Sequence, residues 1–162
     1  MTTRNVLKTL AATTLMALPT AGLATDGVAE TSARDAWLAD RTRIFDAAEV
    51  DLGEFKWVAR PVVVFADAPI QPAFQEQIEL LTARQDELVG RDVVIIVDTD
   101  PEARSDIRTK LRPRGFMLTL IGKDGGVKLR KPFPWDVREL TRSIDKMPMR
   151  QQEIRDAQRT GR

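Results

Sequence analysis

The sequence predicts an α/β fold built on a central mixed sheet, and three features predict it. Two β-branched, apolar runs, Pro61-Val62-Val63-Val64-Phe65-Ala66 and Val93-Val94-Ile95-Ile96-Val97, have the composition of strands covered on both faces. Between them Phe74, Ile78, Leu81, Gln85 and Leu88 recur at helical spacing, from Pro72 at the start to Gly90 at the stop. After them Phe116–Ile121 and Val127–Lys131 flank Gly122-Lys123-Asp124-Gly125-Gly126, whose Asp-Gly step marks a hairpin turn. A strand, a helix of about 18 residues and a second strand close as a right-handed crossover with parallel strands.

The elements around this centre follow in chain order. Arg4 and Lys8, the apolar stretch Leu10–Leu18 and the small residues Ala21-Gly22-Leu23-Ala24 read as a secretory leader, cleaved after Ala24. The apolar stretch is too short for a membrane span, which takes roughly 20 residues, and no transmembrane segment is expected once it is removed. Residues 25–34 are small and polar and read as a flexible arm. Ser32 with Asp35 three positions on resembles a capping box, which would open a helix from Asp35 to about Ala48. Leu52, Phe55 and Trp57 are expected to plug the edge of the core. A short helix should end near Leu111. The second hairpin arm alternates apolar and basic residues, as an edge strand protected from aggregation does. Asp136 and Glu139 form a second capping box before the stripe Val137, Leu140, Ile144 and Met147. The domain therefore runs over 35–150, and 151–162 is a charged tail or short helix.

This order, βαβ then hairpin then helix, is the minimal thioredoxin-like layout. Three segments carry a more specific resemblance: Leu120-Ile121-Gly122-Lys123-Asp124-Gly125-Gly126-Val127-Lys128-Leu129-Arg130, then Ile144-Asp145-Lys146-Met147-Pro148-Met149-Arg150, and Trp57…Arg60 leading into Val62–Phe65. Over about residues 52–155 the chain resembles an uncharacterised domain of exported bacterial proteins that also occurs beside sushi repeats in vertebrate extracellular proteins. The resemblance implies a thioredoxin-like or peroxiredoxin-like fold, with a mixed four-stranded sheet flanked by helices and the first hairpin strand antiparallel to the crossover pair. It leaves the activity open.

Composition removes most chemistries. The chain has no cysteine, no histidine and no tyrosine. Thiol exchange and peroxide reduction need a sulfur nucleophile where the first strand meets its helix, and that loop reads Ala66-Asp67-Ala68-Pro69-Ile70-Gln71-Pro72. Ser/His/Asp catalysis and zinc hydrolysis lack their parts as well. No catalytic residue, metal ligand set or cofactor is implied. Lysines and arginines number 25 against 24 acids, and loss of Arg4 and Lys8 with the leader turns a net charge of +1 into −1, so a nucleic-acid partner is not expected. The glycines of 122–126 link two strands rather than a strand and a helix, so they make a turn and not a phosphate loop. Asp98, Asp100, Glu102 and Asp106 superficially resemble a calcium loop, but Ala103 stands where the sharp turn needs glycine; helix capping in a solvated loop is the simpler expectation. Met147-Pro148-Met149-Arg150 reads as a corner between helices with its methionines packed.

One feature suggests a partner. Arg104, Arg108, Lys110, Arg112 and Arg114 crowd eleven residues, and Lys128, Arg130 and Lys131 lie on the adjoining edge strand. The sequence thus points to a non-catalytic thioredoxin-like module, periplasmic or secreted, that binds an anionic envelope component or a protein through this basic group. The alternative is an enzyme using carboxylates or a bound cofactor.

Overall fold

A computed structural model of the chain describes residues 31–161. The expected leader and residues 25–30 of the expected arm lie outside the described residues. Ser32 opens the first helix as the sequence predicts, its Oγ accepting from the Asp35 N–H at 3.1 Å, and α1 spans Ala33–Ala39. The helix ends well before Ala48. The Asp40 carboxylate accepts from both the N–H (2.9 Å) and the Oγ1 (2.6 Å) of Thr42, a local turn that competes with helical geometry. Ile44–Asp46 then forms a strand, β1, in place of the last helical turns.

The sheet accordingly has five strands where four were expected, and its class is the one predicted. Strands β2 (Arg60–Phe65), β3 (Val93–Asp98), β4 (Met117–Ile121) and β5 (Val127–Lys131) join β1 in the order β1-β3-β2-β4-β5. β2 and β3 are parallel, with Val62 opposite Ile95 and Val64 opposite Val97. β1 is parallel to β3 on its far side. β4 is antiparallel to β2 and closes the hairpin with β5, as the Asp-Gly step requires, with Gly125 at φ +80°.

The crossover helix comes in two pieces, α2 (Pro72–Ala83) and α3 (Gln85–Val89). Thr82 Oγ1 donates back to the Ile78 carbonyl at 2.8 Å, a bond that bends helices, and Arg84 leaves helical geometry at φ −133°. α4 (Asp106–Leu111) is capped by Ser105, and α5 (Val137–Asp145) by Asp136. Glu139 does not complete a capping box; it pairs with Arg142 at 2.6 Å. Pro148 begins α6 (Pro148–Arg159), so the Met-Pro step is the corner expected of it.

Both sheet faces are covered. On one, Val62, Val64, Ile95, Leu118 and Leu120 pack against Leu81, Leu88, Leu140 and Ile144 of α2, α3 and α5. On the other, Val63, Phe65, Val94 and Ile96 meet Trp37, Ile107, Leu111 and Phe55. Phe55 lies in a 3-10 turn, Leu52–Phe55, and is fully buried at the centre of an aromatic trio, edge-on to Trp37 (6.1 Å) and Phe45 (6.3 Å). Trp57 does not plug the core. It is 62% exposed at φ +66°, held there by donation from its N–H to the Lys123 carbonyl at 2.7 Å.

Phe55→Ala would remove the shared member of this trio and leave a cavity, at a cost of about 3–4 kcal/mol. Urea unfolding measures it; a loss below about 1 kcal/mol would mean that the aromatic trio is not what anchors the turn.

Candidate functional site

The place where a thioredoxin-like scaffold carries its reactive sulfur is the loop between β2 and α2. Here it ends in Pro72, which brings no N–H to the helix start, and it exposes Ile70 at 78%. Gln71 Oε1 accepts from the Asp67 N–H at 3.1 Å. The side chains of Ala66–Gln71 include no thiol and no imidazole.

Beneath this loop a buried ion pair ties three elements together. Asp98, at the end of β3, is 4% exposed. Arg108 of α4 donates to its Oδ1 from Nε (2.9 Å) and Nη2 (2.7 Å), while Ser105 Oγ donates to Oδ2 at 2.6 Å. Arg108 Nη2 also reaches the Ala66 carbonyl at 2.8 Å, so its guanidinium joins the ends of β2, β3 and α4. This corrects two expectations. Arg108 faces inward as a structural clamp and is not on the basic surface, and Asp98 is not part of a solvated acidic loop. Asp100 caps its own turn through the Glu102 N–H at 2.9 Å, and among the described residues no cluster of carboxylates is arranged to hold a metal.

A larger network occupies the opposite end of the sheet. Arg60, the first residue of β2, is 1% exposed. It donates to the Arg91 carbonyl and to Glu153 Oε1, both at 2.8 Å. Lys123 Nζ bridges the same Glu153 oxygen (2.8 Å) and Asp92 (2.7 Å), and Asp92 also pairs with Arg41, whose guanidinium lies 3.6 Å above the Trp37 ring. Arg150 joins through Glu153 Oε2 and the Gly90 carbonyl. Beside it Arg91 grips Asp145 with two bonds, at 2.9 and 2.7 Å. Burial pushes the Glu153 carboxyl up, but the hydrogen bonds and charges of Arg60 and Lys123 outweigh it and hold the group below the ordinary glutamate range. The Arg91 hydrogen bonds hold Asp145 below the ordinary aspartate range.

The best candidate for a binding site is a cleft of about 340 Å³ between the Leu52–Phe55 turn, the end of α4 and the hairpin. Leu52, Phe55, Leu111, Ile121 and Val127 supply its apolar wall, and Lys56, Lys110 and Arg130 reach it with positive charge. None of these three cations forms an ion pair among the described residues. Asp124 is the carboxylate of the lining, and Lys128 neutralises it at 2.6 Å. Arg130 spends one N–H on the Leu111 carbonyl at the end of α4.

Of the eight basic residues that the sequence singles out, Lys131 lies 4.5 Å from the Trp135 ring, and the other seven divide. Lys110 and Arg130 meet at the cleft. Arg104, Arg112 and Arg114 are exposed and unpaired among the described residues, on the segments flanking α4. Lys128 belongs to the turn and Arg108 to the interior. Lys56 is the cation that sequence reading missed. It is far from the basic cluster in the chain, and only the turn that buries Phe55 brings it to the cleft.

A parallel crossover followed by an antiparallel hairpin, helices on both faces and no sulfur at the first loop define a thioredoxin-fold module without the fold's redox group. The chain belongs to the family described as "Domain of unknown function (DUF4174)", whose model matches residues 51–153. No curated relative matches the chain. Among solved structures it is similar to the reduced 2-Cys peroxiredoxin of Plasmodium vivax, at 14% identity and a TM-score of 0.51 over 59% of this chain and 81% of that one. It is also similar to thioredoxin peroxidase I of Plasmodium yoelii, at 15% identity and a TM-score of 0.50 over 70% of this chain and 82% of that one. At such identities the likeness is one of fold.

Two variants test the buried charges. Asp98→Ala leaves the Arg108 guanidinium without its counter-ion and should cost about 3 kcal/mol; a loss within about 0.5 kcal/mol would mean the pair is dispensable. For Glu153 the effect should also depend on pH. A carboxyl held low in the native state binds its proton more tightly when unfolded, so its stabilisation is complete above the unfolded pKa and disappears as pH falls through the native one. Wild-type stability should thus decline from about pH 5 downward. Glu153→Gln should be less stable by about 2–3 kcal/mol at neutral pH and decline less steeply, and thermal melts in which the two proteins run parallel from neutral pH to acid would contradict the network.

Proposed function

We propose that the protein is a non-catalytic thioredoxin-like module of the periplasm or the extracellular space that binds an anionic partner. The observation that carries this reading is the convergence of Lys56, Lys110 and Arg130 on one half-apolar cleft without an ion-pair partner among the described residues, while nearby Lys128 is paired. Elsewhere the buried cations Arg60 and Arg108 each have a carboxylate. Arg112 and Arg114 lie exposed just beyond α4 and add positive charge that is unpaired among the described residues. The absence of cysteine and histidine leaves binding as the use of the scaffold that its residues support, and the basic start and small-residue motif of residues 1–24 support export.

Retention on a dextran sulfate column tests the basic face. The wild type should elute at clearly higher salt than Lys110→Glu/Arg112→Glu, in which both exposed side chains are reversed while Arg108 keeps its structural role. Co-elution of the two proteins sinks the reading. Export has a separate test: mass spectrometry of the protein recovered from fractionated cells should show an envelope or secreted species that begins at Thr25, and an intact cytosolic chain would overturn that part.

A further inference from the structure

The register of the hairpin decides what faces the cleft. Along β4, Thr119 and Ile121 lie on the sheet face that carries the aromatic trio, and Leu118 and Leu120 lie on the other. Thr119 is opposite Arg130 and Leu120 opposite Leu129, so a regular ladder would set Lys128 opposite Ile121. The ladder is irregular at Leu120/Ile121, and Val127 takes that place instead. The shift has two results. Lys128 turns away to Asp124 and to a separate recess of about 230 Å³. Val127, 41% exposed, becomes part of the apolar wall beside Ile121, with Arg130 on the same side.

A purely electrostatic surface has no need of such a wall. A cation in place of Val127 would serve a polyanion better, and an apolar residue at a half-exposed edge costs solubility. The cleft's volume of about 340 Å³ falls within the range of small-molecule sites. We propose, on the basis of the anion-binding reading above, that this cleft receives a single amphiphilic anion. Its aliphatic or aromatic body lies against Leu52 and Val127 over the buried Ile121, and its carboxylate or phosphate head meets Lys56, Lys110 and Arg130. The apolar wall sets the preference for a body, and the three cations set the sign of the head.

Calorimetric titration of the protein with octyl phosphate, octanoate, inorganic phosphate and octyltrimethylammonium tests this. Octyl phosphate or octanoate should bind at one site and raise the melting temperature, and the tighter of the two identifies the head group as phosphate or carboxylate. Inorganic phosphate and octyltrimethylammonium should each bind at least about tenfold more weakly. Val127→Glu and Lys110→Glu, both at exposed positions, should weaken the preferred ligand by about tenfold or more with the far-UV spectrum unchanged. Arg138→Glu, exposed on α5 and outside the cleft lining, should change it by less than about twofold. Equal binding of the cationic and anionic amphiphiles, binding of inorganic phosphate as tight as that of octyl phosphate, or full affinity in Val127→Glu overturns the proposal. So does an absence of binding by either anionic amphiphile. Salt-dependent retention on dextran sulfate in that last case would leave the broader anion-binding reading standing and remove the cleft from it.

Discussion

Arg60 begins the central strand of the sheet, and its guanidinium is buried with 1% exposure. Taking an ion of that size out of water costs several kcal/mol unless the interior returns the lost hydrogen bonds and a countercharge. The countercharge comes from Glu153, on the last helix, 93 residues away. That one requirement organises much of the molecule. It fixes α6 against the end of the sheet, and Glu153 then holds Lys123, the residue that opens the hairpin turn. Lys123 in turn reaches Asp92, just before β3, and its carbonyl accepts from the Trp57 N–H. The start of the crossover strands and the hairpin are thereby placed relative to one another by a chain of charge-assisted bonds, and a backbone bond from Trp57 to Lys123 adds the turn that buries Phe55.

The two ends of the sheet solve the same problem with different parts. At one end Arg108 and Asp98 clamp the strand ends below the loop where related folds keep a thiol. At the other, Arg60 and Glu153 do so below the hairpin turn. Each buried arginine has a carboxylate and at least one backbone carbonyl, so little of its hydrogen-bonding capacity is wasted. The loop over Arg108 is thus tied to the end of the sheet at the Ala66 carbonyl, and it holds no thiol and no imidazole.

The sequence made the centre of this fold legible because burial on both faces leaves an unambiguous apolar run, and because Asp-Gly at a hairpin has a backbone reason. It misled where short elements depend on local competition. Ile44 and Ala48 fall at helical spacing from Trp37, yet the Asp40 carboxylate captures Thr42 and ends the helix. The Asp-x-Thr step was the signal for that turn. Trp57 suggested core by size alone, and nothing local announces an exposed tryptophan with positive φ, which is stabilised by a carbonyl 66 residues away. The basic cluster was visible as composition, but its division was not. Arg108 differs from Arg112 only by facing Asp98 rather than solvent, and that pairing requires β3 and α4 to be placed first.

The distribution of charge across the hairpin follows from one irregularity in its register. With strict alternation Lys128 and Arg130 would share a face, the cleft would carry four cations, and Asp124 would lack a partner. The bulge separates them. It sends Lys128 to neutralise Asp124 on the turn and gives Val127 to the wall opposite Ile121. Glycine at 122 leaves room for this pair, since a Cβ there would stand 2.5 Å from Lys128 Cε and 2.6 Å from Asp124 Oδ1. The glycine, the aspartate and the lysine of the turn therefore act together: Lys128 is paired at the turn, and Val127 joins Arg130 at the cleft. A surface built only to repel aggregation would scatter its cations evenly along the edge strand; this one keeps Arg130 beside an apolar wall and removes Lys128 from it.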